Sequence, residues 1–154
     1  MNSERLQDLL AAVSALMVGS LGRLEMRLEA VARTTVEALE VERCWICRLE
    51  GEVLRTMAGV GMVLADPRHA PLPIGVGVVG RCAREGLTRR IDDVMKETDY
   101  YAATALTRSE IAVPIKDGAR VVGVINVEAN RIAAFGDAEQ HVVEAVASLL
   151  GAHL

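Results

Sequence analysis

Three groups of residues in this chain invite a chemical reading. Cys44 and Cys47 form C-x-x-C, Gly75-Val76-Gly77-Val78-Val79-Gly80 spells G-x-G-x-x-G, and Glu110, Asn126 and Glu128 bring polar groups into apolar runs. Structural zinc at the cysteines needs two further ligands. No second cysteine pair exists, and His69, His141 and His153 are scattered singly. A thioredoxin-like pair sits at a helix start, where the dipole lowers the thiol pKa. Residues 44–49 read instead as a strand, on which positions three apart face opposite sides. Cys44 and Cys47 are therefore expected as unrelated core or pocket-lining residues, Cys82 as a core residue on a short helix, and no metal is expected. A dinucleotide site needs a strand directly before its glycines and an acid about 20 residues on. Pro71 and Pro73 precede these glycines, and the next acids beyond Glu85 are Asp92 and Asp93. The motif reads as a tight loop feeding a helix.

The carboxylates are harder to dismiss. Arg108, Ser109 and Glu110 open one strand pattern, and Asn126 and Glu128 close the next. Alternation puts Asn126 and Glu128 on one face with Val122 and Val124. Polar groups ending an apolar face are either a solvated rim or anchors that orient a ligand in an apolar pocket. Spacing alone favours the rim.

The elements that must hold these residues follow from periodicity. Residues 4–18 and 21–39 carry apolar stripes at helical spacing, separated by Gly19, Ser20 and Gly22. Two short strands, 44–49 and 53–58, join through Glu50-Gly51-Glu52, and a long connection follows over 59–76. Residues 78–85 form a short helix stopped at Gly86, 88–91 another short strand, and 92–107 a polar excursion. The clearest hairpin pairs 109–115 with 120–128 across Lys116-Asp117-Gly118-Ala119, whose Asp-Gly pair tolerates positive φ. A terminal helix opens with Asp137 as N-cap and Gln140 completing a capping box. This order describes an α+β domain with an antiparallel sheet and helices outside.

Composition narrows the function classes. The chain has 154 residues, 51% apolar and 25% charged, enough for one domain with a real core. Aromatics are 3%, too few for a base-stacking platform, and a net charge of −4 provides no global field for phosphates, so no nucleic-acid partner is expected. No run approaches the roughly 20 apolar residues of a membrane span, and the N-terminal pattern is not that of an export signal. Three cysteines form no disulfide framework, which suits a reducing cytoplasm.

The glycine motif, then Asp93-Val94, Arg108-Ser109-Glu110-Ile111-Ala112-Val113-Pro114-Ile115, Val121-Val122-Gly123-Val124-Ile125-Asn126-Val127-Glu128, and finally Phe135 and Asp137, together resemble a GAF domain over about residues 25–152. The resemblance implies a central antiparallel sheet of about six strands, with N- and C-terminal helices on one face and a ligand pocket on the other. Residues 1–20 would be an N-terminal amphipathic helix and 21–154 the domain. Members sense small molecules and often dimerise through terminal helices, so a homodimer is expected. Free methionine-R-sulfoxide reductases, stand-alone members of similar length, place cysteines where this chain has Val79 and about Ala103. Glu110 matches their motif; the cysteines do not. Cyclic-nucleotide binders carry N-K-x-F-x-x-x-D-E, which Asn130-Arg131 and Phe135-Gly136-Asp137-Ala138-Glu139 do not reproduce. Bilin attachment lacks its cysteine, and only His69 could serve haem.

The expectation is a non-enzymatic sensory, small-molecule-binding module that requires no cofactor. The alternatives are a reductase-like enzyme and a degenerate domain used only for dimerisation. Tyr100, Tyr101, Arg108, Glu110, Asn126 and Glu128 are the expected ligand contacts, with one tyrosine over the pocket. Two glutamates disfavour an anion unless Arg108 lies between them, so a neutral or cationic ligand is expected. Met57, Met62 and Met95 could instead fill the pocket.

Overall fold

A computed structural model describes residues 1–18, 22–61, 70–98 and 105–154. The first apolar stripe becomes α1 (Ser3–Val18), burying Leu9, Val13 and Met17. The second becomes α2 (Leu24–Leu39), burying Leu28, Val31, Ala32, Thr35, Val36 and Leu39. It stops at Glu40, whose φ of 56° is left-handed. Strands β1 (Arg43–Glu50) and β2 (Val53–Val60) form the first hairpin, and the long connection contributes a strand of its own, β3 (Leu72–Pro73). Helix α3 (Gly77–Glu85) ends at Gly86, and β4 (Arg89–Ile91) follows. The polar excursion holds a 3₁₀ turn at Val94–Lys96. Strands β5 (Ser109–Asp117) and β6 (Arg120–Ala129) make the Asp-Gly hairpin, with Gly118 at φ 63°. Helix α4 (Asp137–Leu150) runs into a final 3₁₀ turn, Gly151–His153.

Among the described residues all pairings are antiparallel, and six strands lie in the order β3-β2-β1-β6-β5-β4. This is the expected α+β architecture. Alternation divides the side chains between two cores. Cys44, Ile46, Ile111, Ile115, Ile125 and Val127 face α1, α2 and α4. Trp45, Cys47, Ala112 and Val124 face α3, with Val78, Val79, Cys82 and Ala83 above them. Cys44 and Cys47 thus point to opposite sides of the sheet, as strand geometry requires. Helix α1 lies against α2 and α4 of its own chain. Among the described residues, no helix is long and apolar enough to cross a membrane.

One cap differs from expectation. The N-cap of α4 is Gly136, and Glu139 accepts its N–H at 2.9 Å. Asp137 is already helical and its carboxylate accepts from Arg90 at 2.8 Å, so it is engaged elsewhere and the cap moves back one residue.

Candidate functional site

The sheet face beneath α3 changes from apolar to polar along its length. Across β1 and β6, Cys47 stands opposite Val124, Trp45 opposite Asn126 and Arg43 opposite Glu128. On the far side of β6, Ala112 stands opposite Asn126 and Glu110 opposite Glu128. One end of the face is therefore carbon and sulfur, and the other is Arg43, Glu110, Asn126 and Glu128. Glu110, Asn126 and Glu128 are 2%, 0% and 1% exposed. They are not the solvated rim that spacing favoured. The residues just before β5 extend this ladder: Arg108 N–H bonds Ala129 O and Val94 N–H bonds Arg108 O, each at 2.8 Å.

Burying a carboxylate requires compensation, and Glu128 has it in full. Its Oε2 accepts from Arg43 Nε at 3.1 Å and from Thr107 Oγ1 at 2.7 Å, while its Oε1 accepts from Asn126 Nδ2 at 3.1 Å. Arg43 also donates to Thr107 Oγ1 at 2.9 Å and to Asn130 Oδ1 at 2.6 Å. Glu110 has no cation beside it among the described residues. Burial first, and then the nearby Glu128 charge, push its carboxyl well above the ordinary range, against a smaller opposing hydrogen bond from Asn126. Two buried atoms here have no hydrogen-bond partner, Glu110 Oε2 and Asn126 Oδ1. Native interiors rarely tolerate this without an ion, water or ligand to answer them.

The remaining expected residues divide. Arg108 does not lie between the glutamates; it is partly exposed and pairs with Asp93 at 3.6 Å. Tyr100, Tyr101, Ala103, His69 and Met62 lie outside the described residues. Met95 is 76% exposed and does not pack over the glutamates. Sequence reasoning missed Arg43, Thr107 and Trp45. Trp45 was accessible through the 43, 45, 47 alternation, but Arg43 is 85 residues from Glu128 and no local spacing links them.

The glycine motif serves packing. Gly75 sits at φ 83° and Gly77 at φ 64°. A side chain at Gly80 would place its Cβ 2.7 Å from the Pro73 carbonyl. Gly75 N–H bonds Gly80 O at 2.7 Å and Gly80 N–H bonds Val76 O at 3.1 Å, so neither amide is aimed at a ligand. All three cysteines are buried and free, and burial pushes the Cys47 and Cys82 thiols up to about 12 and the Cys44 thiol higher still. Among the described residues, no three His, Cys, Asp or Glu side chains converge as metal ligands.

Comparison with known proteins agrees with this geometry. The family model for the GAF domain matches residues 23–154. Protein YtsP of Bacillus subtilis is 34% identical over 62 residues, a match spanning 40% of this chain and 38% of that protein. The GAF domain of a phosphoenolpyruvate-protein phosphotransferase from Coxiella burnetii superposes with a TM-score of 0.88 at 17% identity, covering 99% of this chain and 94% of that one. Free methionine-R-sulfoxide reductase from Neisseria meningitidis, solved with its substrate, superposes at 0.84 with 21% identity over 97% of this chain and 89% of its own. The last two likenesses establish the fold, and the family match establishes membership. Its sheet, its paired cores and its matched residues together show that this chain belongs to the GAF domain family.

Proposed function

We propose that this protein is a ligand-binding sensory module, that its small-molecule site is the polar end of the β1-β6-β5 face, and that it binds without catalysis. The observation that carries this reading is the pair of buried, unpartnered atoms, Glu110 Oε2 and Asn126 Oδ1, beside a carboxylate whose own bonds are complete. A site held ready by its neighbours, with two open acceptors, is suited to recognition. The test is equilibration with a metabolite extract, followed by gel filtration, mass spectrometry and an absorption spectrum of what stays bound. The wild type is expected to retain a compound stoichiometrically, and Asn126→Leu to lose it. A wild type that retains nothing overturns the reading.

A reductase reading has one observation in its favour, Glu110 in the matching motif position. Against it, Val79 occupies the first cysteine position, and Cys82 is a buried thiol with its pKa raised to about 12. A thiolate is the reacting form, and this environment disfavours one. Free methionine-R-sulfoxide with a thioredoxin system is expected to give no turnover above the blank. Turnover abolished by Cys82→Ser would reverse the assignment.

A further inference from the structure

We infer that the occupant of this site is a small organic cation, an aliphatic ammonium of metabolite size, held by Glu110 Oε2 and Asn126 Oδ1 beside the Trp45 indole. The inference rests on the ligand-site reading above and adds to it the charge of the ligand.

Both open atoms are acceptors. The Asn126 amide is oriented by donating Nδ2 to Glu128 Oε1 at 3.1 Å, which leaves its oxygen for the occupant. Each of these two atoms calls for a donor. The charges on the described elements around the site indicate which kind. Glu110 is faced by Glu128 and Asn126 from β6, by Glu97 beyond the 3₁₀ turn, and by Cys82 from α3. On β4, Ile91 stands opposite Glu110, and Arg89, two residues back, is held by Glu85. Arg43 from β1 pairs with Glu128 at 3.1 Å, and Arg81 from α3 pairs with Glu97 at 3.0 Å. Arg108, ahead of β5, pairs with Asp93. Among the described residues, each neighbouring carboxylate has its own guanidinium and Glu110 has none. Ionised, it leaves the site one positive charge short.

In the empty protein a proton on Glu110 removes that deficit, in keeping with its raised pKa. An ammonium supplies a full charge and several N–H donors, and the displaced proton leaves the Glu110 carboxyl for solvent. Trp45, directly opposite Asn126 in the β1–β6 ladder, adds an aromatic face of the kind that attracts organic cations. A divalent metal fits less well, because hard cations require several converging oxygens and no such group forms among the described residues.

Trp45 is the chain's only tryptophan, so its indole N–H gives a single reporter resonance. The full chain is titrated with three probes of matched size: n-butylammonium, n-butanol and n-butyrate. The ammonium is expected to shift the indole resonance saturably and the other two are not. Glu110→Gln is expected to weaken ammonium binding about tenfold or more, the worth of a charge-assisted hydrogen bond. Calorimetry of the wild type in two buffers of different ionisation enthalpy is expected to show proton release on binding, a reading that does not depend on the variant folding. Butanol or butyrate saturating as tightly as the ammonium, or ammonium binding with no proton released, overturns the charge assignment and leaves the ligand site standing. No saturable response to any probe by the folded wild type overturns both.

Discussion

Glu128 and Glu110 are adjacent carboxyls with opposite solutions to the same burial problem. Glu128 is answered by Arg43, Thr107 and Asn126, while Glu110 keeps an open oxygen. Replacing Arg43 by Met leaves Glu128 buried without a cation, a loss expected at about 3–5 kcal/mol. The double change Arg43→Met with Glu128→Leu is expected to recover most of it, and urea unfolding of the four species measures both steps. Glu110 predicts a pH dependence of definite sign. Its folded pKa is raised, so its stabilising contribution is complete below the ordinary glutamate value of about 4.3 and is lost as pH rises through the folded value. Stability of the wild type relative to Glu110→Gln is therefore expected to fall with rising pH across that window; a flat difference rejects the assignment. At this scale the sequence identified Glu110, Asn126 and Glu128 by alternation and motif. It offered Arg108 as an anchor and missed Arg43, because alternation shows which residues share a face but not which distant strand lies alongside.

The elements were legible in proportion to their length and punctuation. The β5–β6 hairpin follows from two alternating runs and Asp117-Gly118, and α2 from its stripe and its stop. Strand β3 has two residues and no period to read, and it forms because Val53 and Leu54 offer a free edge. The cap of α4 moved to Gly136 because Arg90, a partner from β4, engages Asp137. Helix α3 has a stripe, Val78, Val79, Cys82 and Ala83, and depends on a close approach as well. Gly80→Ala would bring a Cβ to 2.7 Å from the Pro73 carbonyl, a backbone atom that cannot turn aside. The expected cost is about 1–3 kcal/mol, seen as a lower urea midpoint. Because α3 roofs the candidate site, the same variant is expected to weaken n-butylammonium binding. An unchanged midpoint would show that α3 can shift away from β3 at no cost.

For the whole molecule, the helix layer carries the proposal of a homodimer. Helix α1 buries Leu9, Val13 and Met17 within its own chain, which narrows the apolar surface left for a partner. Val18 and Met26, at the end of the α1–α2 pair, remain 81% and 66% exposed. Sedimentation at micromolar concentration is expected to give a dimer, weakened about tenfold or more by Met26→Glu, since the partner would have to bury a charge. A monomer throughout overturns it. By itself the sequence determined the helix and strand order apart from β3, the antiparallel hairpins, the division of Cys44 from Cys47, and the family, because each depends on local period, turn chemistry or an ordered set of short motifs. Only the tertiary structure decided that Asn126 and Glu128 are interior, that Arg43 and not Arg108 neutralises Glu128, and that Glu110 pairs with no cation among the described residues. Those facts depend on which strands lie side by side and what covers them, and burial and charge pairing between residues 85 apart are properties of that arrangement, not of spacing along the chain.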